Sequence, residues 1–229
     1  YLKPGNTVFN KLAEDDGLSS NYIYGILADD KGKLWISTSN GLCSFDPEKK
    51  TILVYSEEDG LQNNLFSAGA YEKLQDGTLI FGGIYGFNHF DPSKVYQNNF
   101  IPPVILTDIK VMNQSVDYNT STVLDKPVNL AEQVVLPYRK SLFSIEFASL
   151  NYVSPGKNRY LYRLEGFDEA WIDAGTRRSA FYTNVDPGTY TFTVKGSNND
   201  DIWNQTGKSI RVVILPPYYK TWWFNLIIV

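Results

Sequence analysis

Apolar positions along this chain recur mostly at every second residue, the period of a half-buried strand, and no long run has the 3.6-residue spacing of an amphipathic helix. The clearest case is residues 189–195, where Tyr190, Phe192 and Val194 share one face and three threonines with Lys195 share the other. Similar runs at 104–111, 134–136, 142–148, 160–164, 179–182 and 209–215 predict about seven strands with turn signals between them, which suits an immunoglobulin- or fibronectin-like β-sandwich. Within it, Val185-Asp186-Pro187-Gly188-Thr189-Tyr190 reads as a tight turn that delivers a tyrosine to a sheet corner.

The first hundred residues carry an internal repeat instead. Residues 31–47 (KGKLWISTSNGLCSFDP) align without a gap on 76–92 (DGTLIFGGIYGFNHFDP), so that Gly32 recurs as Gly77, Leu34 as Leu79, Gly41 as Gly86 and Phe45 as Phe90. Asp16-Gly17-Leu18 likewise recurs as Asp59-Gly60-Leu61. A period in the low forties, at roughly 40 to 45 residues with four short strands per unit, belongs to β-propeller blades. In the first unit the strands fall at 22–28, 34–38, 42–46 and 51–55, with the Asn40-Gly41 pair turning the central hairpin. The second repeats three of them, at 67–73, 78–82 and 87–91, and has Asn98-Asn99-Phe100-Ile101-Pro102-Pro103 where the fourth belongs. Residues 7–12 read as an outer strand without a blade of its own. The fold expected is all-β: incomplete β-propeller blades over 1–100 (repeats about 16–58 and 59–100), then a sandwich over 101–217.

Composition narrows the partners. The net charge of −4 leaves no basic field of the kind that displaces counterions from phosphates, so nucleic acid is not an expected partner. The acidic excess lies in the first hundred residues and every arginine in the rest, which supports a boundary near residue 100. Cys43 stands alone and cannot form an intrachain disulfide. Tyr1 is not an initiator Met and no signal segment follows, so the chain reads as an internal fragment. At the other end Pro216, Pro217, Tyr218, Trp222 and Trp223 precede Phe224-Asn225-Leu226-Ile227-Ile228-Val229, an aromatic and cationic belt before an apolar run. Residues 218–229 read either as the start of a transmembrane helix, too short here to cross a bilayer that needs ~20 apolar residues, or as a strand or core-docking tail.

The repeats resemble the two-component-regulator propeller repeats in the extracytoplasmic part of hybrid two-component sensor kinases, chiefly of Bacteroidetes. Gly32-Lys33-Leu34-Trp35-Ile36, Asn40-Gly41-Leu42 and Phe45-Asp46-Pro47 carry that likeness, and the second copy departs from it with Ile80 in place of the Trp and Gly82-Gly83 in place of Ser37-Thr38. The second half resembles the triple-tyrosine (Y_Y_Y) domain that follows such propellers. Its matching residues are Tyr160, Tyr162, Gly166 and Trp171, then Tyr182-Thr183-Asn184, Pro187, Gly188 and Tyr190, then Asn198 with Trp203. Pro216-Pro217, Tyr218 and Trp222-Trp223 complete the order of the family and move the tail toward the membrane reading.

That resemblance implies the C-terminal part of a periplasmic sensor region, anchored in the inner membrane through a helix after residue 217. It implies an oligosaccharide ligand held largely on blades outside this chain, a homodimer in the full receptor, and a cytoplasmic kinase and DNA-binding regulator beyond Val229. No ligand-contact residue is assignable from the sequence. The main alternative is a carbohydrate-binding or spacer module of a secreted glycan-degrading enzyme, which would continue past Val229 with polar residues.

The chain shows little chemistry of its own. His89 is the single histidine, and its place in a strand favours a structural or surface role over catalysis. The pairs Asp15-Asp16, Asp29-Asp30, Glu57-Glu58 and Asp200-Asp201 adjoin turn residues and read as solvated rather than as calcium ligands or glycosidase carboxylates. Trp35 lies in an apolar strand and reads as core, while sugar stacking stays open for Trp171 and Trp203. No catalytic residue, metal site or cofactor is expected in this segment.

Overall fold

The computed structural model describes residues 10–138 and 142–217. It divides into a first compact unit that ends at Gln97 and a second that begins at Asn98. Both are built from strands.

In the first unit, β1 (Ile23–Ala28), β2 (Leu34–Thr38), β3 (Gly41–Asp46) and β4 (Thr51–Tyr55) form one antiparallel sheet in chain order. A second sheet holds β5 (Phe66–Lys73), β6 (Leu79–Gly83) and β7 (Gly86–Phe90). The expected strands are there within a residue or so. The alternation of β2 assigns its faces: Trp35, with Leu42, packs toward Phe66, Leu79 and Phe81 of the second sheet, while Ile36, Cys43 and Phe45 join Leu18 on the opposite side. The innermost strands approach so closely that a Cβ on Gly25 would overlap the Tyr71 ring. Of the outer strand expected over 7–12, residues 7–9 lie outside the described residues. Residues 10–12 are not in a strand; Leu12 instead packs into the Leu18 layer.

The turns before each blade repeat as faithfully as the strands. Glu14–Asp16 and Glu57–Asp59 form matching 3-10 turns, each closed by a glycine with positive φ, Gly17 and Gly60. Glu14 and Asn21 exchange backbone-to-side-chain bonds at 3.0 and 2.7 Å, and Glu57 and Asn64 repeat them at 2.9 and 3.3 Å.

The second unit is a two-sheet sandwich. One sheet has the order β10 (Gln133–Leu136), β16 (Lys208–Ile214), β15 (Gly188–Gly196), β12 (Tyr160–Glu165), β13 (Ile172–Gly175). The other runs β14 (Ser179–Tyr182), β11 (Phe143–Ser149), β8 (Val104–Val111), β9 (Gln114–Ser115). Strands β9 and β13 are additions to the seven expected, and both are short edge strands with little alternation to reveal them. The core between the sheets includes Leu106, Ile109, Phe147, Tyr160, Leu164, Phe192, Val194 and Val212. Phe192 and Val194 are fully buried, and Tyr190 is half-buried against the same core.

Candidate functional site

Trp35 is 2% exposed, with its ring stacked on Tyr55 at 5.5 Å and tilted against Phe90 at 4.7 Å. Its indole N–H donates to Asp29 Oδ2 at 3.2 Å. Asp29 Oδ1 takes the N–H groups of Lys31 and Lys33, so this acidic residue organises the β1–β2 turn rather than merely facing water. Gly41 has φ +102 and stands where a Cβ would meet Tyr55 O at 2.5 Å, and its N–H donates to Asn64 O across the blades. Gly86, its counterpart, has φ +127 in open space. His89 is exposed on β7, edge-on to Phe87.

In the sandwich the tyrosines serve the packing. Tyr160 is 1% exposed and its hydroxyl accepts the Ser149 N–H at 3.1 Å. Tyr162, Tyr182, Phe147 and Phe192 form a ring cluster with centroids 6.1 to 6.3 Å apart. The Tyr182 hydroxyl donates to Asp168 Oδ2 at 2.9 Å, and the same oxygen takes the Leu164 N–H at 2.6 Å. Burial first, then the Asp168 carboxylate, raise the Tyr182 hydroxyl pKa above its ordinary value. Burial also raises that of Tyr162. Tyr190 donates to Asp186 O at 3.0 Å beside the Pro187-Gly188 turn, a tyrosine corner. Its ring lies 3.2 Å from where a Cβ would stand on Gly166 or on Gly188, so the two glycines clear the space it occupies.

Trp171 is 38% exposed with the Lys195 ammonium 4.8 Å above its ring. Trp203 is half-buried and bridges to Ser197. At the exit, Leu215 N–H donates to Leu136 O at 2.9 Å, Pro216 is exposed and Pro217 buried. Tyr218, Trp222, Trp223 and the helix start expected over 218–229 lie outside the described residues. Among the described residues no helix is long and apolar enough to cross a membrane, and no cluster of three or more His, Cys, Asp or Glu stands ready for a metal ion.

Sequence reading missed a group of buried amides, Asn98, Asn151, Asn158 and Asn198, gathered at the end of the sandwich where the chain arrives. The signal available was their density: three asparagines among the seven residues 198–204 and a pair at 98–99, both flanked by strands.

Residues 151–215 match the Y_Y_Y domain family and residues 17–40 the two component regulator propeller family. Histidine kinase P4 of Formosa agariphila is 33% identical over 224 residues, which is 97% of this chain and 16% of that protein. This chain therefore spans about a sixth of its curated relative. In fold, it matches the extracellular domain of a putative hybrid two component system from B. thetaiotaomicron with a TM-score of 0.77 and 24% identity, over 94% of this chain and 29% of that one.

Proposed function

We infer that this chain, two-component-regulator propeller repeats joined to a Y_Y_Y domain, is the last extracytoplasmic part of a hybrid two-component histidine kinase sensor. The observation that carries the reading is a likeness to a histidine kinase that runs unbroken through both units in a single order. The blades contribute to detection of an oligosaccharide, and the sandwich passes the resulting displacement to a helix in the inner membrane. A dimer of the receptor then changes the output of a cytoplasmic kinase and its phosphorelay. The segment itself acts by packing and displacement, with no chemistry of its own. Its exit strand suits that role, since β16 is bonded to β15 on one side and to β10 on the other and is not a free edge.

Reporter fusions to the parent protein test this placement. A periplasm-dependent phosphatase fused after Pro217 is expected to be active, and the same reporter fused about 30 residues further on, past a span of ~20 residues, inactive. Activity at both positions would place the chain in a secreted protein and overturn the reading.

A further inference from the structure

The chain arrives at the sandwich as a strap, residues 98–103. Its last carbonyl, that of Pro103, accepts the Leu150 N–H at 2.8 Å, and most of its other fastenings are to the loop joining β15 to β16. Asn198 Nδ2 donates to the carbonyls of Asn98 and Phe100 at 2.6 and 2.9 Å, and Asn204 Nδ2 donates to that of Pro102 at 2.9 Å. In return the Asn98 N–H donates to Asp200 Oδ2 at 2.6 Å, and its side-chain amide reaches Asn199 Oδ1 and Asn151 Oδ1 at 2.8 and 3.0 Å. Asn198 is 0% exposed, and its Oδ1 takes the N–H groups of Asp200 and Ile202 at 2.8 and 2.9 Å, so all four of its bonding positions are filled. Asn151 and Asn158 tie the same cluster to the end of β11, where Asn158 Nδ2 meets Ser149 O at 3.3 Å.

A fully satisfied buried polar network is stiff, because any displacement leaves several donors or acceptors unpaired at once. Asn204 Oδ1 accepts the Gly207 N–H at 3.0 Å, immediately before β16 begins. From there β16 runs ~23 Å, at about 3.3 Å per residue, to the exit at Leu215. Every second carbonyl of the strap is thus held by the segment that becomes the outgoing strand.

We propose that this asparagine latch is the input coupling of the sandwich: it makes the chain arriving at Asn98 mechanically continuous with the exit strand β16. The direction of traffic rests on the sensor reading; the coupling itself does not.

Hydrogen exchange on the full chain tests it, comparing wild type with Asn198→Asp and Asn204→Asp. Asn198→Asp keeps the two bonds the side chain accepts and removes the two it donates. The amides of Asn98 and Phe100 are expected to exchange at least about tenfold faster, and those of the β15–β16 pairing beside the loop, around Thr193 and Ser209, to follow. Strand β11 reports global unfolding and is expected to stay protected. If Asn198→Asp unfolds the domain, Asn204→Asp, which keeps the bond accepted from Gly207 and removes the one donated to Pro102, is read by the same criterion. Loosening of the strap with β16 unchanged overturns the coupling, and a strap that stays protected overturns the latch. Neither outcome involves ligand or kinase, so failure here is separate from failure of the sensor reading, which the reporter fusions decide.

Discussion

The indole N–H of Trp35 donates to the carboxylate of Asp29 at 3.2 Å, and the equivalent positions of the second blade hold Ile80 and Leu74, so both partners of the bond are replaced together. A Trp without its acceptor would leave a buried donor unpaired, and an Asp without its donor would hold one carboxylate oxygen idle. A double-mutant cycle with Trp35→Ile and Asp29→Leu is expected to show a coupling of about 0.5 to 1.5 kcal/mol, measured by denaturant unfolding. Strict additivity would show that the two residues act independently.

The two faces of β15 differ in what they carry. Phe192→Ala removes a ring that is 0% exposed and is expected to cost ~3 to 5 kcal/mol. Thr191→Ala on the outer face is expected to change stability by under about 0.5 kcal/mol. Equal costs in urea unfolding would contradict the assigned strand phase.

Gly166 has φ +92 and leaves room for the Tyr190 ring. Gly166→Ala therefore combines backbone strain with a close contact and is expected to lower stability by roughly 1 to 3 kcal/mol. Tyr190→Phe, which loses the bond to Asp186 O, is expected to cost only about 0.5 to 1.5 kcal/mol. Thermal unfolding of the two variants gives the order, and a Gly166→Ala protein as stable as wild type would remove the cradle from the account.

Tyr182 sets an alkaline limit. Its pKa in the fold is raised above the value of about 10 it has in the unfolded chain, so the folded state holds the proton more tightly. The stability this contributes is complete below pH ~10 and is lost as the pH rises from there toward the folded value. Tyr182→Phe cannot ionise and is expected to flatten the fall in melting temperature between about pH 9 and pH 11. An unchanged alkaline slope in that variant would assign the effect elsewhere.

Much of this architecture is legible in the sequence because alternation and internal repetition are local signals. Leu34, Ile36, Cys43 and Phe45 declare one blade face, and their counterparts Leu79, Phe81, Asn88 and Phe90 declare the next. The tyrosine corner is legible for the same reason, since Asp186 and Tyr190 are four residues apart. The amide latch is not, because its bonds join residues about a hundred positions apart and asparagine signals a turn as readily as a buried network. Short edge strands such as β9 and β13 are set by the neighbour they pair with, and their own residues give no period to read. By sequence Asp29 and Asp200 read as solvated turn acids, whereas each accepts a specific donor that only the fold brings within reach.

The exit at Pro216-Pro217 carries the central claim, that displacement of the sandwich is passed on as a signal. On the proposed reading the two prolines, which restrict φ and the residue before each, serve as a stiff joint at the end of β16. The decisive measurement is autophosphorylation of the full-length parent in membrane vesicles, with a panel of oligosaccharides from dietary and host glycans added on the extracytoplasmic side, for wild type and for a Pro216→Gly, Pro217→Gly variant. The account predicts that at least one oligosaccharide alters the wild-type rate, and that the variant binds it with unchanged affinity but no longer responds. Wild-type phosphorylation indifferent to every bound oligosaccharide, or a variant that responds as wild type does, would contradict it.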